Sequence, residues 1–499
     1  MLLPTHIRVL ACGIFSLIII LAGQNSSQAH ARIESARSPL QQTSAAQKTI
    51  DGVWVGILDV QGLKIRLILR ITRDPAGALS AKLDVPEQGA SDLPIDSISL
   101  EGQVFRFEAK GPMLTYEGTM SDDGQEIVGQ LKQGPATIPV TFKRTDKAPE
   151  LGRPQDPKKP YPYLEEQVSY ENKTDAVKIT GTLTMPRTGG PFPVVLLITG
   201  SGSQDRDETI AGHRPFLVLA DHLTRLGIAV LRVDDRGMGG TSPGARDVTT
   251  ENFVGDVLTG VEFLKSRKEI DPRQIGLIGH SEGGMIAPMA AIRSKDVAFI
   301  VLMAGTGLPG DEEILIQTDM LLKSQGFSDE SVKLAHELYS AVFVIVKGKD
   351  DTATAEKKLR DVISSRTAAM TAAQKKDLQP LLDQVDSQLK QIYLLPWFRY
   401  FLRYDPHPTL RKITIPVLAL NGENDIQVAA KANLNAIAAA LKEAGNKDYT
   451  IVSLPKLNHL FQTSKTGALT EYGEIEETIS PVALKTMSDW ILKHTTQKK

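Results

Sequence analysis

Short runs of alternating hydrophobic and polar residues, separated by turn residues, occupy the chain from about Gly52 to Arg144. Examples of these runs are 53–58, 65–70, 104–107 and 138–142, with turn sequences at 74–77 and 122–124. A hydrophobic period of two is typical of strands that bury one face. We therefore predict a small all-β accessory domain over residues 48–146, folded as an antiparallel barrel or sandwich.

A proline-rich stretch follows this region. It contains prolines at positions 149, 154, 157, 160 and 162, with two lysines among them. Proline fixes the backbone in extended conformations, so such stretches act as stiff spacers. The pattern predicts a linker over residues 147–163.

Beyond the linker, mainly apolar runs alternate with stretches that have helical periodicity. The apolar runs are 193–199, 228–233, 275–279, 297–303 and 416–420, and 251–268 carries its apolar residues at helical spacing. Apolar strands alternating with helices are typical of a mostly parallel sheet that helices cover on both faces. We predict an α/β domain over residues 164–499.

One segment of this domain, about 307–410, is patterned as helices throughout and interrupts the alternation of strands. It contains a capping-box sequence at Thr371 and Gln374 and a dense group of aromatic residues. We predict that it forms a helical cap over the carboxyl edge of the sheet. The aromatic residues are Tyr393, Trp397, Phe398, Tyr400, Phe401 and Tyr404.

The first 31 residues have the features of a secretory signal peptide. A basic start is followed by an apolar run over 9–23 and by Ala29-His30-Ala31, a small-x-small cleavage sequence. The alternative, a membrane anchor, would need ~20 apolar residues. We therefore predict a secreted or periplasmic protein that keeps no stable membrane anchor once the signal is removed.

Composition excludes several other classes. Lysine and arginine total 57 against 59 acidic residues, so the basic excess of a nucleic-acid-binding protein is missing. The single cysteine, Cys12, lies within the predicted signal peptide, which leaves the mature chain without disulfides, cysteine nucleophiles or thiolate metal sites. No His, Asp or Glu spacing resembles a metal site, and we predict no cofactor. The oligomeric state stays open.

The candidate nucleophile is Ser281, in the sequence Gly279-His280-Ser281-Glu282-Gly283. An apolar run precedes this sequence and a helical pattern follows it. Such a strand-to-helix turn needs small residues on both sides of the serine, so that strand and helix can approach closely. The alternative is an ordinary serine at the start of a helix, which would not require the flanking glycines.

A serine hydroxyl needs a base, and in such folds the acid and then the histidine follow the serine along the chain. Of the nine histidines, only His459 and His494 lie beyond the last predicted core strands. His459 stands directly after the predicted strand 449–454, whereas His494 belongs to the terminal helix. We predict that His459 is the general base.

The acid should follow a strand end between the serine and the histidine. The sequence Leu420-Asn421-Gly422-Glu423-Asn424-Asp425 comes directly after the predicted strand 416–420. Asp425 is favoured over Glu423, because the loop needs several residues to turn toward the histidine. A buried carboxylate there would fix the tautomer of the base and stabilise its charged form.

The fourth component is an oxyanion hole. One donor should be the backbone N–H of Glu282, directly after the nucleophile. The second should come from the loop Gly200-Ser201-Gly202-Ser203, and the sequence leaves Ser201 and Gly202 as alternatives. We interpret the charged residues from Asp205 to Glu208 as a self-paired loop, in which acidic and basic side chains pair with one another. Residues 234–236 we interpret as the segment that ties this loop to the core.

Together these motifs resemble bacterial esterases of the α/β-hydrolase superfamily, in the branch related to dienelactone hydrolases and prolyl-oligopeptidase-like enzymes. The resemblance rests on 200–208, 234–242 and 279–284 and covers roughly 165–305 and 411–495. Thr199 departs from the pattern, since these esterases often have a histidine there. The resemblance implies an α/β-hydrolase fold and hydrolysis of small-molecule esters through an acyl-enzyme.

Three functional alternatives are left. A serine peptidase or amidase of the prolyl-oligopeptidase-like type usually has a large propeller domain, which the N-terminal pattern does not suggest. A thioesterase or acyltransferase would use the same acyl-enzyme. A non-catalytic binding protein is disfavoured because every candidate triad residue is present. We predict a serine carboxylesterase for small to medium acyl esters.

Overall fold

The computed structural model describes residues 49–60, 63–85, 90–110, 114–133, 136–147, 152–245 and 247–496. These residues form two compact units that divide near residue 150, and each unit contains its own sheet. The predicted signal peptide, residues 1–31, lies outside the described residues.

The first unit is a single antiparallel sheet of nine strands, in the order β4-β3-β2-β1-β9-β8-β7-β6-β5. This sheet is consistent with the predicted all-β domain. The strands are β1 (Gly52–Val60), β2 (Leu63–Arg73), β3 (Leu79–Val85), β4 (Ala90–Pro94), β5 (Ser97–Glu101), β6 (Val104–Ala109), β7 (Leu114–Met120), β8 (Glu126–Gln133) and β9 (Ala136–Thr145).

Alternation of side chains explains the core of this sheet. Along β7 every second residue is buried, and aromatic rings from β6, β7 and β9 pack together on that face. Tyr116, at the centre, donates its hydroxyl proton to the carbonyl oxygens of Ile127 and Val140, both at 3.0 Å. The buried ring therefore leaves no polar atom of its own unsatisfied.

The second unit is built on an eight-stranded sheet in the order β10-β11-β13-β12-β14-β15-β16-β17. The pairings of β11 with β10 and β13 are antiparallel and the other five are parallel. Its strands are β10 (Leu164–Asn172), β11 (Val177–Met185), β12 (Phe192–Ile198), β13 (Ala229–Val233), β14 (Ile270–His280), β15 (Val297–Met303), β16 (Val417–Gly422) and β17 (Tyr449–Leu454).

Helices connect these strands, and the carboxyl ends of the parallel strands meet at one edge, where the predicted site residues follow them. Two helices, α1 (Pro215–Arg225) and α11 (Pro481–Thr496), share one hydrophobic core with the sheet. The others are α2 (Thr250–Lys265), α3 (Glu282–Ala291), α4 (Gly310–Ser324), α5 (Asp329–Val346), α6 (Thr352–Ala368), α7 (Ala372–Gln388), α8 (Pro396–Arg403), α9 (His407–Leu410) and α10 (Ala430–Glu443).

Helices α4 to α9 all lie between β15 and β16, in the segment predicted from its helical patterning, with a π-helical turn over Leu389–Tyr393. The predicted capping box at the start of α7 is confirmed. The N–H of Gln374 donates to the hydroxyl of Thr371, and the N–H of Thr371 donates to the side chain of Gln374. Within the described part of the chain, no helix is both long and apolar enough to span a bilayer.

The described part of the proline-rich stretch is bound to the second unit. Arg153 donates to the carbonyl oxygens of Ala211 and Ile475 at 2.9 and 2.8 Å. The side chain of Gln155 donates to the carbonyl oxygen of Ile479 at 2.7 Å. Residues 152–163 therefore fold with the sheet that follows them, within the unit that carries the predicted site.

Candidate active site

Ser281 occupies the turn between β14 and α3, as the motif predicts. Its backbone has φ 54° and ψ −116°, a left-handed conformation that side-chain-bearing residues adopt at a cost in strain. Its N–H donates to the carbonyl oxygen of Met303 at 2.9 Å, which fixes the turn to β15. The serine is therefore held at the carboxyl edge of the sheet.

The glycines around Ser281 are required by close backbone contacts. A Cβ at Gly279 would overlap the carbonyl group of Gly283, and a Cβ at Gly283 would overlap the carbonyl oxygen of Ile198 on β12. Strand, turn and helix can approach this closely only where side chains are missing. Replacing either glycine would displace the serine.

The structure brings together the predicted base and the predicted acid. Nδ1 of His459 lies 2.8 Å from Oδ2 of Asp425, and both side chains are almost fully buried. The other oxygen, Oδ1, accepts the N–H groups of Gln427 and Val428 at 2.8 and 2.9 Å. With Nδ1 as the donor to this carboxylate, Nε2 is the nitrogen to which the prediction assigns proton transfer.

The two alternatives left by the sequence lie elsewhere. Glu423 is exposed and accepts a hydrogen bond from Ser453. His494 contacts the carbonyl oxygen of Trp490 and the carboxylate of Asp448, at the end of α11. Neither side chain has a hydrogen bond to the Asp425–His459 pair among those the structure shows.

The predicted oxyanion loop lies directly beside the nucleophile. A Cβ placed on Gly200 would be 3.2 Å from Cβ of Ser281. Gly202 has φ 100°, a conformation open to glycine. Glu282, which carries the other predicted donor, is the first residue of α3, where the backbone N–H groups are free of helical partners. The choice between Ser201 and Gly202 stays open.

The charged loop 205–208 differs from the expectation. We interpreted it as self-paired, but Arg206 binds Asp234, and Asp207 binds Arg232 on β13. These partners lie outside the loop, because the loop packs onto the sheet rather than into solvent. The expected tie through 234–236 is confirmed, since Asp235 also accepts from the hydroxyl of Thr199 and the N–H of Gln204 at 2.8 and 2.9 Å.

The chain matches the sequence profile of the alpha/beta hydrolase family over residues 195–470, which is more than half of its length. The chain belongs to this family. The matched region begins in β12 and ends beyond His459, so it includes all three candidate triad residues.

This alpha/beta hydrolase is similar to several curated proteins, of which two are compared with it. It is 28% identical over 335 residues to Esterase EstD of Thermotoga maritima, an alignment that covers 66% of this chain and 70% of EstD. It is also 28% identical over 151 residues to Putative hydrolase YtaP of Bacillus subtilis, covering 27% of this chain and 50% of YtaP. By their names, one of these relatives is an esterase and the other a putative hydrolase.

Among solved structures, it is similar to the alpha/beta hydrolase GrgF from Penicillium sp. sh18, with 16% identity and a TM-score of 0.41. That alignment covers 67% of this chain and 99% of GrgF. A similar match is Est1E from Butyrivibrio proteoclasticus, at 15% identity and a TM-score of 0.37, covering 66% of this chain and 99% of Est1E. The family assignment rests on the profile match rather than on these two likenesses.

A cavity of about 260 Å³ adjoins the oxyanion loop of this hydrolase. Its walls come from the loop 199–203, from β13 and α2, and from Trp397 at the start of α8, and they are mainly apolar. Of the predicted aromatic cluster, Trp397 lines this cavity, whereas Phe398 and Phe401 are buried against other rings. The cluster therefore serves both the cavity and the packing of the cap.

Two carboxyl groups in the cavity wall, those of Glu282 and Asp235, have raised pKa values. Burial raises the pKa of Glu282, although Trp397 and Thr250 donate hydrogen bonds to it at 2.9 and 2.8 Å. Burial likewise raises the pKa of Asp235 to about 8. Asp235 is therefore mostly uncharged at neutral pH, and burial shifts Glu282 in the same direction.

Sequence reasoning missed two buried residues beside the candidate triad, Glu208 and His280. Nδ1 of His280 lies 3.0 Å from Oε1 of Glu208, and its Nε2 lies 3.0 Å from the backbone oxygen of His459. Chain order excludes His280 as the predicted base, but no other role was assigned to it. Its position directly before the nucleophile was the available signal. Within the described ranges, no cluster of His, Cys, Asp or Glu is arranged to hold a metal ion.

Proposed function

We propose that this alpha/beta hydrolase is a serine carboxylesterase that cleaves small to medium acyl esters through an acyl-enzyme. Ser281 is the nucleophile, His459 the general base and Asp425 the acid that orients it. The observation that carries this proposal is the buried contact of 2.8 Å between His459 and Asp425, together with the strained turn that holds Ser281. The name of the relative EstD supports ester hydrolysis.

The proposed reaction has two halves. Oγ of Ser281 attacks the ester carbonyl carbon while its proton passes to Nε2 of His459. The tetrahedral intermediate then breaks its bond to the alcohol oxygen, and the alcohol leaves with the proton from His459. Water, deprotonated by the same nitrogen, attacks the acyl-enzyme, and the acid is released as the proton returns to Ser281.

The negative oxygen of each tetrahedral intermediate needs fixed donors. We assign this role to the backbone N–H of Glu282 and to one N–H from Ser201 or Gly202. Support comes from the close approach of the Gly200 loop to Ser281 and from the position of Glu282 at a helix N-terminus, where a negative charge is favoured. A donor of this kind is typically worth about 10²–10³ in turnover.

The cavity supports an acyl site for short, uncharged groups. Its volume of about 260 Å³ is below the ~300–1,000 Å³ of pockets for drug-sized ligands. The wall is mainly apolar, the pKa of about 8 keeps Asp235 mostly neutral at pH 7, and burial also raises the pKa of Glu282. A charged acyl group would lose its hydration there, and the charged residues of the wall already have ion-pair partners, Arg236 with Asp256 and Asp234 with Arg206.

A chain-length series tests this proposal. Wild-type protein should cleave p-nitrophenyl esters from acetate to octanoate, with kcat/KM highest for short or medium chains, and faster than any aminoacyl-anilide. In the same series, Trp397→Ala should shift the preference toward longer chains by enlarging the cavity, with a smaller change on acetate. Phe398→Ala is the matched control. The ring of Phe398 is next to that of Trp397 but is buried in the cap, so this substitution should reduce thermal stability without shifting the preference. Faster anilide cleavage would instead indicate a peptidase.

We also propose that the protein is exported. The basis is the n-region, apolar run and small-x-small sequence of residues 1–31. Mass spectrometry of the protein from the periplasm or the medium of its host should give an N-terminus near residue 32. A mature chain that keeps Met1 in the cytoplasm would contradict this proposal.

A further inference from the structure

Three parts of the candidate site converge on the side chains of Glu208 and His280. Oε1 of Glu208 accepts the N–H of Gly200, at the start of the oxyanion loop, at 2.7 Å. The same oxygen lies 3.0 Å from Nδ1 of His280, the residue before the nucleophile. Nε2 of His280 lies 3.0 Å from the backbone oxygen of His459, the base.

The partners of His280 determine its protonation. The backbone oxygen of His459 can only accept, so Nε2 must carry a proton. Oε1 of Glu208 already accepts from Gly200, and an ionised carboxylate also accepts from Nδ1. With a doubly protonated ring beside the carboxylate, all three contacts are N–H to oxygen hydrogen bonds. The geometry therefore favours a doubly protonated ring beside the carboxylate.

The electrostatic surroundings agree with this state. Burial disfavours the charged ring, but the carboxylate of Glu208 and the hydrogen bonds outweigh it, so the pKa of His280 is raised. The charge of Asp425 acts in the same direction. Both members are almost fully buried, at 4% and 1% exposure of their side chains, so water does not screen the pair.

The backbone of Glu208 is a separate indication. Its φ is 52°, in the left-handed region that residues with side chains rarely adopt. Strain of this kind persists where the surrounding structure holds the residue in place, and it concentrates at functional sites. Here the strained residue directs its carboxylate at the oxyanion loop and at the neighbour of the nucleophile.

We propose that the Glu208–His280 pair positions the catalytic base, with His280 holding the backbone of His459 in register with Ser281. The inference rests on the proposed function, since it deepens the role of that same site. His280 is covalently attached to the nucleophile and hydrogen-bonded to the base, and their rings lie 4.7 Å apart between centroids. Neither Glu208 nor His280 exchanges protons with substrate, so both are positioning residues.

Two substitutions of His280 separate its two contacts. An asparagine amide nitrogen can take the place of Nδ1 and keep the bond to Glu208, whereas a glutamine amide nitrogen can take the place of Nε2 and keep the bond to His459. Active sites are counted with a fluorophosphonate probe, and kcat and KM are measured per labelled site on p-nitrophenyl acetate. His280→Asn should lower kcat by about 10²-fold with little change in KM, because displacing a base by 1 Å has an effect of that size.

His280→Gln should keep kcat at least about tenfold above that of the asparagine variant, because it retains the contact to the base. A merely structural role would give both variants equal kcat per labelled site, with any loss confined to thermal stability. Equal values, or an asparagine variant as fast as wild type, would overturn the inference while leaving the proposed function intact. A wild type that neither labels nor hydrolyses esters would overturn both.

Glu208→Gln serves if the histidine variants do not fold. The ring then loses its counter-charge and the charge-assisted bond at Nδ1, so it holds the backbone of His459 less firmly, and kcat per labelled site should fall while KM changes little. Glu313→Gln is the matched control. Glu313 is also buried and hydrogen-bonded to Asn433, and burial raises its pKa to about 8. Its amide should leave kcat unchanged, and a wild-type kcat in Glu208→Gln would contradict the inference.

Discussion

Ser281→Ala should lower kcat for every ester in the series by roughly 10⁴- to 10⁶-fold, the range found when a serine hydrolase loses its nucleophile. Among the residues that the structure describes, Ser281 is the one with a hydroxyl group in the strained turn between β14 and α3. The variant should also lose covalent labelling by fluorophosphonates. Because alanine keeps the backbone and removes a single oxygen, the melting temperature should stay close to that of wild type.

Ser266→Ala is the matched control for this experiment. Ser266 ends α2 in the same unit, and its hydroxyl donates to the carbonyl oxygen of Phe263 at 2.7 Å, away from the turn at Ser281. Activity and labelling should both survive. Labelling of Ser281→Ala at the wild-type rate would place the nucleophile at another residue.

Most of the strands that carry the candidate site could be predicted from sequence because β12, β15 and β16 are buried on both faces, whereas the edge strand β17 is only partly buried. The predicted strands 297–303 and 449–454 coincide with β15 and β17, and the run 193–199 differs from β12 by one residue. By contrast, β10 and β11 were not singled out. β10 lies at the edge of the sheet and has mostly exposed polar residues, so no apolar run marks it.

Contacts over long chain separations could not be predicted. Glu208 and His280 are 72 residues apart, and His280 and the base are 179 residues apart. In the sequence, Glu208 lies in what resembles a charged surface loop, and His280 is one position of the motif around Ser281. Only the packing of β12 beside β14 brings the two residues together. The interpretation of 205–208 as self-paired was wrong for the same reason, since the partners Asp234 and Arg232 come from another strand end.

His459→Ala should lower kcat about as much as removal of the serine, roughly 10⁴- to 10⁶-fold, because the hydroxyl then has no proton acceptor. The substitution also leaves Asp425 buried without its partner, so the free energy of unfolding should decrease. Asp425→Asn keeps the volume of the side chain but makes the wrong tautomer of His459 available. A loss of about 10⁴-fold in kcat is therefore expected. Stopped assays on p-nitrophenyl acetate measure kcat for both variants.

His494→Ala is the control that tests the choice between the two late histidines. Its ring stacks on Trp490 at 3.9 Å between centroids and contacts Asp448. The variant should therefore lose some thermal stability and keep its kcat. A large loss of kcat in His494→Ala, with little in His459→Ala, would show that the base had been chosen wrongly.

The double variant Ser281→Ala, His459→Ala decides whether the two residues act as a unit. If Nε2 of His459 serves only to take the proton of Ser281, removal of the base has no further effect once the hydroxyl is gone. The double variant should then have the same residual kcat as Ser281→Ala alone, which would come from binding and the oxyanion hole. Multiplied losses would show that His459 acts on the ester independently of the serine, as it would if it activated water directly.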